Sequence, residues 1–538
     1  MNFDPLFQNY PSNRYLVTAN NGMVATGSNL ASAAGLEILK RGGNAVDAAV
    51  ATAAALTVVE PTANGIGGDT FAIVWLNNEM YGLNASGYSP KSIDVEEIKS
   101  KAIDGKMPKY GWTPVTVPGA PKAWASLIER FGKLSLKEVL EPAIYYAEHG
   151  YPISPMLGKM FQNGTKKFTE NLKGQSEFDE WFKTFTKSDG GAYGFGDIIK
   201  LPNHAKTLRL IGETNADAFY QGEIAKQIDR QSKRDGGYIR YEDLASYDVS
   251  WVKPIGVNYR GYDVWEIPPN GQGIVALMAL NILSNGSFKT REDVDTYHKQ
   301  FEAMKMAFAD GMNYVTDPEH MTIDYHDLIK QEYGKTRFTE IGDEALTPKV
   351  SNPPKSGTVY LCTADKDGNM VSYIQSNYMG FGSGIVIEGY GVAMQNRGAD
   401  FSLDEKHYNY LKPHKKTYHT IIPGFLTKDG KAIGPFGVMG GYMQPQGHVQ
   451  VVTNMIDFHM NPQMALDAPR WQWVKDKKFM VEPEFNKAIV EQLIAKGHEI
   501  EIATSRVSFG RGQIIIKLDN GVLVGACESR TDSNIACF

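Results

Sequence analysis

From Ser28 to Pro61 the apolar positions keep a helical rhythm. Leu30, Ala33, Ala34 and Leu39 recur at steps of three to five residues, Lys40 and Arg41 suit a helix C-terminus, and Gly42-Gly43 ends the run. Ser28 can cap this first helix, and Asn44 caps a second one that stops before Pro61. The second helix carries alanine on most faces, so it is expected to be packed closely on several sides. "TANGIGGDTFAIVWL" then gives a glycine-rich turn into a strand from about Thr70 to Leu76, and "EMYGLNASGYSP" supplies its partner. Residues 120–330 read mainly as helix, as in "APKAWASLIERFG" and "REDVDTYHKQFEAMKMAFADGMNYV", with a loop at "TKSDGGAYGFGD" (186–197). "VNYRGYDVWEIPPNGQG" reads as a strand running into a turn. Residues 334–357, with Pro348, Pro353 and Pro354, read as an irregular connector.

After Gly357 the period changes from helical to alternating. "TVYLCTA", the Asp-Gly turn in "DKDGN", and "MVSYIQS" predict a β-hairpin, followed by glycine-studded "GFGSGIVIEGYGVAM" in a strand-rich region. Thr358 opens the first strand, straight after Ser356-Gly357 and two prolines. One reading makes it a plain loop-to-strand junction. Another makes Gly357–Thr358 a bond to be cut. A threonine hydroxyl is a poor nucleophile without a base beside it. A cut would free the Thr358 α-amine, whose reference pKa of about 7.7–8.0 lets it accept the hydroxyl proton near neutral pH.

Composition narrows the field. The chain has 538 residues, with 42% hydrophobic and 22% charged, as expected of a globular protein of one large or two smaller domains. A net charge of −6 and the lack of any basic block argue against a nucleic-acid partner. The longest nearly apolar stretch, 45–59, is interrupted by Asp47. At about 22 Å it is short of a roughly 30 Å hydrocarbon core, so no membrane span is expected. Three cysteines, Cys362, Cys527 and Cys537, do not make a disulfide framework. With no signal-peptide pattern at the start, the expectation is a cytoplasmic protein. HExxH, paired CxxC, GxxxxGK[ST] and GxSxG motifs are missing. "GFGSGI" (380–385) copies only part of a dinucleotide fingerprint, so no metal and no cofactor is expected.

Several segments, in order and spacing, resemble the gamma-glutamyltransferase family of N-terminal nucleophile hydrolases: "RGGNAVDAAVA", "GIGGDTFAI", "YRGYDVWEIPPNGQG", "ADKDGNMVS", "NRGADFS" and "GACESRTDSN". The resemblance implies an α+β fold, a four-layer αββα sandwich. It also implies a precursor that cuts itself between Gly357 and Thr358. Residues 1–357 would form a helix-rich large subunit and residues 358–538 a strand-rich small one, intertwined as one unit and paired as a heterodimer, with further association left open. It implies Thr358 as nucleophile and base, Ser376 as a second hydroxyl bonded to it, and Gly440-Gly441 as oxyanion glycines, where the bland alternative is a Gly-Gly turn.

Substrate-binding positions depart from the family pattern. Where an arginine clamps the substrate carboxylate, this chain has Ser86, or Ala85 or Gly87 if the alignment slips by one. His419-Thr420 replace two serines, Arg397 replaces a glutamine, and Asp400 is retained; the segment from Phe401 to Tyr418 is short for a lid loop. Arg397 would either meet substrate or pair with Asp400, and His419 would either touch substrate or sit satisfied in the core. Loss of the arginine fork removes bidentate carboxylate recognition. The pattern therefore resembles the family's acylase and amidohydrolase members, acting on a small acyl amide. True gamma-glutamyl transfer or glutathione hydrolysis is the first alternative, and an uncut, non-catalytic binding protein the second.

Overall fold

The computed structural model describes residues 4–6, 13–348 and 358–538; Gly357, Pro353 and Pro354 lie outside the described residues. Two seven-stranded sheets, antiparallel throughout, lie at the centre. The first runs in the order Val17–Ala19, Leu523–Cys527, Arg511–Lys517, Lys431–Met439, Gly424–Lys428, Tyr262–Glu266, Ile255–Tyr259. The second runs Asn534–Cys537, Gly22–Thr26, Val359–Asp365, Met370–Ser376, Asp69–Leu76, Glu79–Ala85, Ser250–Val252. Met23, Phe71, Trp75, Tyr360, Ile374, Phe425 and Ile515 fill the space between the sheets. Helices Asn29–Lys40 and Ala45–Val59 cover the outside of the second sheet, with Leu136–His149 packed on them, and Gly273–Leu283 and Met443–Ile456 cover the first, with Val294–Tyr314 packed on Gly273–Leu283. The result is the αββα sandwich that the resemblance implied. With both faces covered, central strands such as Val359–Asp365 and Met370–Ser376 are buried at every position.

The alanine-rich helix Ala45–Val59 is buried along its whole length. Its neighbour comes so close that a Cβ on Gly35 would lie 2.2 Å from Thr52 Oγ1, which is why glycine stands there. Asn44 and Asp47 form a reciprocal capping box at its start. Ser28 occupies the N-cap position of the preceding helix, but its side chain makes no capping bond, contrary to expectation.

Three further expectations change. "VNYRGYDVWE" is a hairpin rather than one strand, because Arg260 and Gly261 both take positive φ and close a tight turn between Ile255–Tyr259 and Tyr262–Glu266. Helix Gln331–Thr339 reaches into the predicted connector. "GFGSGIVIEGYGVAM" forms bends and isolated bridges instead of strands, since Gly382, Gly384, Gly389 and Gly391 all take positive φ. Among the described residues no helix is long and apolar enough to cross a membrane.

In the second sheet, strands from before residue 348 and after residue 358 lie side by side: Val359–Asp365 pairs with Gly22–Thr26, and Met370–Ser376 with Asp69–Leu76. Two pieces divided between these limits share one sheet and one core.

Candidate active site

The hairpin register sets the centre of the site. Val359 pairs with Gln375, so Thr358 and Ser376 meet at the open end of the hairpin, and Thr358 Oγ1 lies 3.1 Å from Ser376 Oγ. Both residues are fully buried. Ser376 Oγ also accepts the Tyr378 N–H at 2.8 Å, which ties the hydroxyl to the backbone turn that follows.

Across the sandwich, strand Lys431–Met439 runs out into Gly440 (φ 141°) and Gly441 (φ 62°), conformations that a side chain would strain. Their carbonyls accept the N–H groups of Met443 and Gln444, both at 3.1 Å. Among the described residues no acceptor receives the N–H of Gly440 or Gly441. The turn therefore holds two amide donors in reserve, which is what stabilising an oxyanion requires.

The hairpin and the glycine turn reach the same end of the sandwich. Tyr360 packs against Gly437, where a Cβ would meet its ring at 2.5 Å. The Asn377 N–H donates to Ala63 O at 3.3 Å, and Ala63 and Gly440 line one cavity of about 410 Å³. Phe168, Phe381, Tyr442, Trp473 and Met480 give this cavity an apolar, ring-rich wall, with Lys167 and Arg511 as its cations. Arg511 is paired with Glu60 at 3.2 Å, and burial pushes the Glu60 carboxyl up to about 7. Thr358 is fully buried and does not line this cavity.

The residues predicted to bind substrate form a second, tightly bonded group. Arg397 is fully buried, with its guanidinium 4.0 Å from the Tyr378 ring centroid. Its Nη1 donates to Thr420 Oγ1 at 2.9 Å and lies 3.5 Å from Asp400 Oδ2. Its Nε and Nη2 have no hydrogen-bond partner among the described residues. Asp400 accepts from Tyr378 OH (2.6 Å) and Tyr442 OH (3.3 Å); burial raises its pKa, and Arg397 and the two tyrosines oppose the rise. Tyr442 thus stands between Asp400 and the cavity.

His419 has both ring nitrogens engaged inside the protein. Nδ1 accepts the Ile421 N–H at 3.3 Å, so Nε2 carries the proton and donates to Asp69 Oδ2 at 2.9 Å. Burial drives the imidazole pKa well below its ordinary value, with Arg397 and Lys416 adding to the effect. Ser86 is buried too; its hydroxyl donates to Asn84 Oδ1 at 2.7 Å, with Asn270 beside it. No cation bonds to Ser86 among the described residues. The short segment after Phe401 is pinned to the body, with Leu403 and Leu411 packing on Ile93, Ile98 and Met107.

Sequence reasoning did not single out Asp69, Tyr378, Tyr442 or Gln272, all of which bond directly to the predicted residues. Asp69 and Gln272 lie within "GIGGDTFAI" and "PPNGQG", so the motifs were visible while the partners were not. His298, Glu302 and His498 also converge within 4.8 Å. There His298 Nδ1 and His498 Nε2 share a hydrogen bond of 2.8 Å, and Lys305 already pairs with Glu302 at 2.6 Å. The cluster is therefore a neutralised hydrogen-bonded clasp, not an open ligand set.

The gamma-glutamyltranspeptidase family profile matches residues 31–538. The chain is 36% identical to the glutathione hydrolase-like YwrD proenzyme of Bacillus subtilis, over 96% of this chain and 98% of that one. It is 31% identical to the oxamate amidohydrolase proenzyme of Klebsiella pneumoniae, over 97% and 99%. A solved cephalosporin acylase from Bacillus halodurans superposes with a TM-score of 0.97 at 54% identity, covering 100% of this chain and 99% of that one.

Proposed function

The chain belongs to the gamma-glutamyltranspeptidase family of N-terminal nucleophile hydrolases, and from that premise we propose that it is a self-processing amide hydrolase with Thr358 as nucleophile. The observation that carries the reading is the buried hydroxyl pair, Thr358 Oγ1 to Ser376 Oγ at 3.1 Å, at the hairpin's open end. In the precursor, Thr358 Oγ attacks the Gly357 carbonyl and the acyl group moves from nitrogen to oxygen. Water then cleaves the ester. The products are pieces of 357 and 181 residues (538 − 357), which stay interleaved in one sheet.

In the processed protein the new α-amine takes the Thr358 hydroxyl proton as the oxygen attacks a substrate amide. It then passes that proton to the departing amine. The Gly440 and Gly441 N–H groups receive the oxyanion. Water, deprotonated by the same amine, releases the acid from the Thr358 ester.

For substrate we favour a small carboxylate-bearing acyl amide, as in acylase and amidohydrolase relatives, over a gamma-glutamyl compound. Ser86 brings no charge to the position where the family's clamp would stand, whereas Arg397 keeps two guanidinium nitrogens without partners among the described residues. Intact-mass analysis and a substrate panel test the proposal. The expected result is two pieces beginning at residues 1 and 358, with turnover of oxamate or glutaryl amides. Turnover of a gamma-glutamyl anilide alone defeats the acylase reading. A single uncut chain with no Thr358 N-terminus defeats the enzyme mechanism and favours a binding protein.

A further inference from the structure

The mechanism above makes no use of the "PPNGQG" segment, yet its last polar side chain sits at the centre of the site. Gln272 is fully buried at the N-cap of helix Gly273–Leu283. Its backbone N–H donates to His419 O at 2.8 Å, and the His419 N–H donates to Asn270 O at 2.9 Å, zipping this turn to the 417–421 segment. The side-chain Nε2 then donates twice, to Thr420 O at 2.7 Å and to Gly441 O at 2.8 Å. Its Oε1 accepts from Tyr418 OH at 3.1 Å, which fixes the orientation of the amide.

Gly440 and Gly441 have little torsional preference of their own. The bonds from Met443 and Gln444 tie the turn only to the helix that follows it. Something outside that helix must set where the two free N–H groups point. Gln272 makes that bond, and through Thr420 it reaches Arg397, whose Nη1 donates to Thr420 Oγ1 at 2.9 Å.

We propose that Gln272 is a positioning residue: its carboxamide locks the Gly440–Gly441 turn in the orientation that receives the oxyanion and couples that turn to the Arg397–Thr420 arm. The inference rests on the reading of the glycine amides as oxyanion donors. A removed oxyanion donor costs about 10²–10³ in kcat, and a misplacement of about 1 Å costs on the order of 10².

The test uses the processed protein, Gln272→Met (similar length, no donor) and Tyr418→Phe (carboxamide kept, its orienting hydroxyl lost), on the best amide of the panel. Gln272→Met is expected to lower kcat about 100-fold and Tyr418→Phe about 3- to 10-fold, with KM within about 3-fold. Affinity for a boronic acid that forms a tetrahedral adduct on the nucleophile should fall in step with kcat, while affinity for the product acid should hold. Unchanged kcat in both variants overturns the proposal. So does an equal loss of boronate and product-acid affinity together with a lower unfolding temperature, which marks general loosening. Should Gln272→Met not fold, Tyr418→Phe decides by the same criteria. Failure of the underlying reading looks different: the unsubstituted protein then forms no boronate adduct on Thr358.

Discussion

The hydroxyl-and-glycine centre and the Arg397 arm are built on opposite principles. At the centre, Thr358 and Ser376 form one hydroxyl pair, and among the described residues no acceptor takes the N–H groups of Gly440 and Gly441. In the arm, Ser86, Asp400, His419 and Thr420 all bond to protein partners, and among the described residues the Nε–Nη2 edge of Arg397 is left over. Chemistry on an acyl group needs donors that are in place before charge develops, so the centre keeps its donors open. Recognition of a head group rests on which side chains stay unsatisfied, and in the arm nearly all are satisfied. On the proposed mechanism the reaction type follows from the centre, and the choice of acyl group from one guanidinium edge.

The sharpest way to break this contrast is Thr358→Ala. It should abolish both self-cutting and turnover, with kcat falling by about 10⁴–10⁶, read by intact mass and by a discontinuous assay of released acid. A cut Thr358→Ala chain would move the nucleophile elsewhere.

Ser376→Ala removes a single partner of the proposed nucleophile. A hydrogen bond between two neutral hydroxyls contributes about 0.5–1.5 kcal/mol, so kcat/KM should drop about 2- to 12-fold while cutting still proceeds, more slowly. Arg397→Lys keeps the charge and loses the planar fork. KM for carboxylate-bearing amides should rise about 10-fold, while kcat/KM for neutral acyl amides should change by less than about 3-fold. Equal losses on both substrate types would remove Arg397 from recognition.

The smallest effect concerns Glu60, which pairs with Arg511 at the cavity wall. Burial raises its folded pKa to about 7 from the ordinary carboxylate value of 4.5, so between these values the folded state holds a proton that the unfolded chain has lost. Its contribution to stability is complete below about pH 4.5 and fades as pH rises through 7, by roughly 3 kcal/mol in the limit. Glu60→Gln should flatten that part of the curve of unfolding free energy against pH. An unchanged slope would show that the carboxyl is ionised throughout.

Turn chemistry and alternation made much of the centre legible in the sequence. "DKDGN" between two alternating runs sets the hairpin register, and register alone brings residues 358 and 376 together. Asn44 announced its helix start in the same way, because a cap is a contact between near neighbours; the reciprocal bond from Asp47 came only with the structure. Ser28 shows the limit, since a residue type that suits a cap position need not form the bond.

What the sequence determined by itself is therefore local: the hairpin that pairs Thr358 with Ser376, the Gly440-Gly441 break after a strand, and the missing cation at Ser86. Tertiary structure decided the rest. Asp69 meets His419 across 350 positions, Gln272 meets Gly441 across 169, and the cavity wall gathers Phe168, Phe381 and Trp473. Hydrophobic periodicity records which face of an element is buried, not which distant element covers it. Polar partners inside the core are chosen only when the two sheets close on each other and every buried donor must find an acceptor.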